Sequence, residues 1–380
     1  MSPADEPFVL FRDDAEGREM LFSRPRALLV AEDAASFRSA LDEAAEARRR
    51  GAWIAGYLSY EAGYLLERKL VHLLPAGRRA PLLCLGVFDP PEERPATVCG
   101  TSEGALFDTR PVWSLADYRI RFDRLRDHLR AGDCYQANLT FPIHAGWRGT
   151  PRALFDALTA RQPVRHGALV GLGWPVIVSR SPELFFQVSR DGWIETLPMK
   201  GTAPRGETPE EDAEIKAFLH NDPKNQAENR MIVDLLRNDI SRVCEVGTLD
   251  VPQLFHVETY PTVHQMVSRV RAKLAQGVGL SQIFEALFPC GSVTGAPKIR
   301  AMQILHELEE EPREAYCGAI GWAAPDGSMR FNVAIRTVSL FPDGEAVYNV
   351  GGGVVFDSTA EGEYEEALLK ARFAAGAGGA

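Results

Sequence analysis

Three strand-like stretches follow one another between Gly318 and Phe356: GAIGWAA, MRFNVAIRTVSL and AVYNVGGGVVF, separated only by the turn-rich segments PDGS and FPDGE. Neighbouring strands joined by connections this short pair antiparallel, because a parallel pair needs a crossover of a dozen or more residues. The segment therefore predicts an antiparallel meander in place of a doubly wound parallel sheet. Helical periodicity is interleaved with such runs over 118–131, 151–160, 208–220, 226–238, 280–288, 296–310 and 360–374. Residues 34–50 read as an amphipathic helix ending at Gly51, before the strand-like AWIAGYLSY. The expected fold class is α+β.

The stretch from about 89 to 112 is rich in Pro, Glu, Gly and Thr and reads as a loop or linker, the only plausible boundary. It divides an N-terminal portion, 1–110, from the region 118–374, and the Ala/Gly-rich 375–380 reads as a frayed tail. With a length of 380 residues, 45% of them hydrophobic and 25% charged, the chain can bury a large core. A net charge of −10 leaves no general positive field for nucleic acid or anionic membrane, so any anionic ligand needs local positive charge. The six cysteines are scattered without a C-x-x-C pair, which argues against a zinc site or a disulfide framework. No signal-peptide pattern or membrane-length apolar run is visible, so a cytoplasmic protein is expected.

Several carboxylates stand where chemistry could use them. Glu228 lies three residues before Met231 on the apolar side of a helical stripe that includes Ile232, Leu235 and Leu236. An inward carboxylate needs a partner or a metal, although a glutamate near a helix start also suits the helix dipole. Glu363, Glu366 and Lys370 share one helix face, directly after Gly351-Gly352-Gly353. Alone that pattern also fits a solvated face. Together with Glu228 it could supply the hard oxygen ligands of Mg²⁺.

The three glycines allow backbone N–H groups to approach an anion, but GGGVVF is not G-x-G-x-x-G. Gly291-Ser-Val-Thr-Gly-Ala-Pro-Lys298 has the wrong spacing for a P-loop, and Pro297 removes an N–H, so ATP binding is rejected. Lys200 sits in a Gly/Pro-punctuated turn, ETLPMKGTAPRG, as a surface lysine or a nucleophile. With an ordinary pKa of about 10.4, a nucleophilic lysine needs desolvation or a cationic neighbour.

In order along the chain stand GDCYQANLTF, SPELFF, TLPMKGTAPRG, AENRMIVDLLRNDISRVC, TVHQMVS, FPCGSVTGAPKIRAMQIL, YCGAIGW, FNVAIRTV and GGGVVFDSTAEGEYEEALLKAR. Together these segments resemble the chorismate-utilising enzymes, among them anthranilate, aminodeoxychorismate, isochorismate and salicylate synthases. The match covers roughly residues 118–374; residues 1–110 match more loosely. The resemblance implies a composite α+β unit of two facing antiparallel sheets with helices outside, to which the N-terminal portion contributes strands. It implies that Glu228 and Glu366 ligate Mg²⁺, with Glu363 acting through water, and that the metal holds the ring carboxylate of chorismate. Arg336, Tyr316 and the amides of Gly351 to Gly353 would hold the pyruvyl-side carboxylate. Lys370 would add positive charge, and His264 and Ser292 would contact the ring and its leaving group.

Two positions bear on the reaction. Isochorismate and salicylate synthases resemble one another in carrying a lysine base within the segment that reads GDCYQANLTF here, whereas this chain has Gln136, which takes up no proton at neutral pH. The segment PMKGT is similar to the P-I-K-G-T of aminodeoxychorismate synthases, with Met199 for Ile, where anthranilate synthases read P-I-A-G-T. The resemblance then implies that Lys200 adds at C2 as the C4 hydroxyl departs, that ammonia adds at C4, and that Glu183, in SPELF, is the general acid/base. No cysteine lies in a G-x-C-x-G elbow, so ammonia is expected from a separate glutamine amidotransferase subunit. No lyase domain is apparent after the tail, so aminodeoxychorismate itself is the expected product. The rivals are an anthranilate synthase component I and an inactive paralogue that binds the amidotransferase.

Overall fold

The computed structural model describes residues 6–97, 104–260 and 263–374. The tail 375–380 and Cys99 lie outside these residues.

Among the described residues the strands form two ten-stranded sheets with antiparallel pairings. The first sheet runs from the two-residue strand Gly295–Ala296 through the long strands Gln136–Arg148 and Glu345–Val354 to Phe8–Asp13, Arg18–Ser23 and Glu92–Pro95. The second runs from Met199–Pro204 and Val263–Lys273 through Leu184–Val188, Met329–Val333 and Ala319–Ala323 to Trp53–Leu58, Leu83–Phe88 and Ala27–Ala31. Strands from the first 110 residues are thus distributed over both sheets. The stretch read as a linker carries two strands: Glu92–Pro95 pairs with Arg18–Ser23, and Ala105–Pro111 pairs with Gln136–Arg148.

Three apolar clusters account for the layering. Helices Leu115–Ala131, Pro151–Arg161, Lys298–Glu309 and Ala360–Ala371 cover the first sheet through residues such as Phe122, Phe155, Leu305 and Ala367. Helices Ala34–Arg49, Pro223–Ser241 and Leu280–Leu287 cover the second through Phe37, Ile232 and Phe284. Between the sheets, Val9, Val170 and Ile177 of the first meet Ala55, Tyr57 and Ile320 of the second. The helix covers are anchored by aromatic packing: Phe284 meets Phe331 edge-on at 5.2 Å, and Phe331 stacks on Phe186 at 5.2 Å. Burying each such ring stabilises the fold by roughly 1.5–3 kcal/mol. Helix ends follow local chemistry, as where Ser114 and Asp117 form a reciprocal capping box and Gly132 closes the same helix in the left-handed conformation.

The expected meander from Gly318 to Phe356 is divided. Ala319–Ala323 and Met329–Val333 pair in the second sheet. The chain then leaves through 334–336 and resumes as Thr337–Leu340 in the first sheet, against Glu345–Val354. What reads as one strand is two, with Arg336 at φ 51° between them. A second crossing lies beside it: Val176–Ser181 belongs to the first sheet and Leu184–Val188 to the second, with Glu183 between. Both crossings carry residues singled out for chemistry.

Candidate active site

The strand Glu345–Val354 lies in register with Gln136–Arg148, placing Gly351 opposite Thr140, Gly352 opposite Leu139 and Gly353 opposite Asn138. The chain then enters helix Ala360–Ala371, whose cap Thr359 accepts from the Gly362 amide. One face of that helix lies over Gly352. A β-carbon added there would stand 2.8 Å from Glu363 Oε2, 3.6 Å from Lys370 Nζ and 4.0 Å from Glu366 Oε1. The absence of a side chain is what lets these groups approach the strand.

Lys370 pairs with Glu366 at 2.8 Å and donates to the Gly351 carbonyl at 3.0 Å. In an antiparallel strand a residue's N–H and C=O point to the same side. The amides of Gly351 and Gly353 therefore face away from the ladder, and that of Gly352 faces into it. Glu363 accepts from Ser358 at 2.7 Å. Burial pushes its carboxyl up, Ser358 opposes this, and the Glu366 charge adds to it. Burial would also raise Glu366, but the Lys370 ammonium, together with the charges of Lys200 and Lys224, holds that carboxyl below its ordinary value.

Gly353 is the point where the two sheets' functional residues meet. A β-carbon there would lie 2.5 Å from Gln136 Nε2 and 3.1 Å from Lys200 Nζ. Gln136 is 1% exposed, and among the described residues neither of its amide atoms has a hydrogen-bond partner. A buried unpaired polar atom costs about 1–3 kcal/mol, so both atoms of this amide favour a hydrogen-bonding partner.

Lys200 arrives from the second sheet. Its basicity is lowered by burial and then by the Lys370 charge, against the raising influence of Glu228, Glu183 and Glu366. Glu183 is buried, and its Oε1 has no partner among the described residues. Burial pushes its carboxyl up, against a hydrogen bond from Ser292 and the charges of Lys200, Arg336 and Lys370. Ser292 is itself buried, 3.2 Å from the Cys290 sulfur.

Other expected residues are placed differently. His264 is fully buried, with Nδ1 at 3.0 Å from Thr259 Oγ1 and Nε2 at 2.9 Å from Asp212 Oδ1. Both ring nitrogens of the residue expected to meet the substrate ring are thus engaged within the protein, one by strand Asp250–Thr259 and the other by helix Pro209–Asn221. Strand alternation turns the next residue, Gln265, the other way, where it bonds the Gly201 carbonyl beside Lys200. Gln265 was missed because a buried strand offers no apolar–polar alternation to tell its faces apart.

Tyr316 packs in the core of the second sheet, where burial drives its hydroxyl far above the ordinary value. Glu228 lies partly buried on helix Pro223–Ser241, and its charge reaches Lys200. Among the described residues no three His, Cys, Asp or Glu side chains stand close enough to hold a metal ion as they are. The donors suit a hard cation chemically, and one of them, Glu366, is paired with Lys370 at 2.8 Å.

Sequence reasoning also missed the support beneath the site. Arg313, 2% exposed, donates to Asn138 O and Val293 O and grips Glu309, which accepts from Thr140. It thereby ties the strand bearing Gln136 to the turn bearing Ser292. A separate cavity, lined by Arg12, Glu19, Met20, Arg165, His166 and Arg330 among others, contains none of the residues gathered at Gly353. No helix of the described residues is long and apolar enough to cross a membrane.

Comparison with known proteins shows the family and the fold. The chain is 41% identical over 289 residues to aminodeoxychorismate synthase component 1 of Klebsiella aerogenes, covering 74% of this chain and 64% of that protein. It is 42% identical over 253 residues to the protein of the same name from Escherichia coli strain K12, covering 67% of this chain and 55% of that protein. The chain thus spans less than two thirds of the length of either relative. The crystal structure of anthranilate synthase component I from Streptococcus pneumoniae TIGR4 superposes with a TM-score of 0.80 at 25% identity, covering 96% of this chain and 91% of that one. With residues 6–376 matching the family described as chorismate binding enzyme, the chain belongs to that family.

Proposed function

We propose that this protein converts chorismate and ammonia to 4-amino-4-deoxychorismate and water, with ammonia supplied by a separate glutamine amidotransferase. The observation that carries the reading is the Lys200 amine beside Gly353 and Gln136, its basicity lowered by burial and by Lys370. The names of the relatives from Klebsiella aerogenes and Escherichia coli support it.

In this reading the neutral Lys200 amine adds at C2, both ring double bonds shift toward C4, and the C4 hydroxyl departs. Glu183, which burial keeps protonated above the ordinary carboxylate range, donates the proton that makes that hydroxyl leave as water. Ammonia then adds at C4, both double bonds shift back, and the C2–nitrogen bond to lysine breaks. Occupation of C2 by Lys200 keeps water and ammonia from that carbon, and Gln136 offers no base to activate water. Arg336 and the outward amides of Gly351 and Gly353 bind the pyruvyl-side carboxylate, and Lys370 keeps a positive charge nearby. Mg²⁺ held by Glu228 and Glu366, with Glu363 acting through water, would supply a Lewis acid and clamp for the ring carboxylate.

The test is the purified protein with chorismate, Mg²⁺ and ammonium, its products separated by chromatography. Aminodeoxychorismate is expected. Anthranilate or isochorismate would refute the reading, and no turnover would favour an inactive amidotransferase partner.

A further inference from the structure

Lys200 stands at an interruption of its sheet. Met199 pairs with Val267 and Thr202 with Gln265, so Lys200 and Gly201 together oppose the single residue Met266. This is a β-bulge, which re-aims a side chain at the expense of ladder hydrogen bonds. Gly201 takes a φ of +92°, open to glycine at little cost. It is also crowded, since a β-carbon there would lie 2.9 Å from Asn225 Oδ1. Asn225 is fixed in turn by Asp222, the cap of helix Pro223–Ser241, through bonds of 2.8 Å from its amide and its side chain.

On the strand side the bulge is closed by one side chain. Gln265 Nε2 donates to the Gly201 carbonyl at 2.8 Å, and Gln265 Oε1 accepts from Thr202 Oγ1 at 2.8 Å. The Gln265 backbone is held between two strands, paired with Thr202 on one side and Glu258 on the other. Its amide therefore satisfies a carbonyl that the bulge removes from the ladder, from a rigid base. A free lysine side chain has roughly 2 kcal/mol of rotamer entropy. The backbone beneath it must be fixed if its amine is to rest beside Gly353 and Gln136.

We propose that Gln265 is a positioning residue for Lys200, locking the Lys200–Gly201 bulge so that the amine is delivered into the cleft at Gly353. The inference rests on the reading of Lys200 as the nucleophile, and its test is chosen to be separable from that reading.

The test uses Gln265→Met, close in volume but without either hydrogen bond, and Gln265→Glu, which keeps the acceptor for Thr202 and loses the donor to Gly201. Two quantities are read. The first is the kinetics of aminated product with ammonium, where both variants should lose about tenfold or more in kcat, as for a small misplacement of a reacting group, with KM for chorismate little changed. The second needs no turnover: limited acetylation with acetic anhydride, quantified by peptide mass spectrometry against the exposed Lys216. Chorismate should shield Lys200 from acetylation in the native protein and largely fail to do so in both variants. A variant whose Lys200 remains shielded as in the native protein overturns the proposal, whatever its kcat. A native protein that shields Lys200 yet makes another product refutes C4 amination and leaves the shielding comparison to judge Gln265.

Discussion

Glu183 and Arg336 occupy two of the backbone segments that cross between the sheets, and these two crossings are bonded to each other. The Arg336 carbonyl accepts from the Arg180 amide at 2.9 Å, and the Glu183 carbonyl accepts from the Val333 amide at 3.1 Å. The guanidinium lowers the Glu183 carboxyl that burial raises, and Glu183 supports the charge of a guanidinium that burial opposes. The seam between the sheets thus delivers an acid and a cation to one place.

If Arg336 holds a substrate carboxylate, Arg336→Lys keeps the charge and loses the planar fork. A charge-assisted hydrogen bond contributes about 1.5–3 kcal/mol. KM for chorismate should rise by about tenfold or more, with a smaller change in kcat, in steady-state kinetics.

The pH profile follows from two opposite shifts. In the proposed reaction Lys200 acts as the neutral amine, and its pKa is lowered, so activity should rise with pH at values below the 10.5 of an ordinary lysine. Glu183 is proposed to act first as an acid, and its pKa is raised, so its proton persists above 4.5 and activity should decline as pH passes its raised value. Lys370 is the second cause of the Lys200 shift, after burial. Lys370→Met should therefore move the rising limb of kcat/KM to higher pH; a limb that stays in place contradicts the assignment.

The two glycines beneath the cleft should fail differently. A methyl at Gly353 meets Gln136 and Lys200, whereas one at Gly352 meets Glu363. Gly353→Ala should lower kcat at every Mg²⁺ concentration, on the order of 10²-fold for a displaced nucleophile. Gly352→Ala should raise the Mg²⁺ concentration needed for half-maximal activity, in a magnesium titration at saturating chorismate.

Stability should carry the mark of Glu61. It is 1% exposed, accepts from the Arg313 amide at 2.6 Å, and burial raises its carboxyl to about 7. A raised carboxyl contributes stability fully present below its unfolded value of about 4.3 and lost as pH rises through about 7. Between pH 5 and pH 8 the native protein should lose on the order of 3 kcal/mol more than Glu61→Gln in urea unfolding.

The Gly/Pro-punctuated stretch around Lys200 read as a turn but is the bulged strand Met199–Pro204, whereas the glycine strand and the acidic helix were legible because each depends on local spacing and residue type. The division of MRFNVAIRTVSL was not. A strand buried on both faces reads as continuous apolar sequence, and only the left-handed Arg336 marks where it changes sheet. That His264 and Gln265 face opposite ways was hidden for the same reason, since side chains alternate faces and continuous burial leaves no pattern to tell them apart. The stretch 89–112 looked like a linker because its composition is polar, yet its two strands lie on a sheet edge or pair across a bulge, where such residues are tolerated.

The most direct test of Lys200 as the nucleophile is intact-mass spectrometry of the protein incubated with chorismate and Mg²⁺ in the absence of any amine. The account predicts a species heavier by the mass of chorismate less one water, mapped to Lys200 by peptide analysis, lost on adding ammonium and absent from Lys200→Ala. Aminodeoxychorismate formation by Lys200→Ala at the native rate, with no adduct on the native protein, would contradict it.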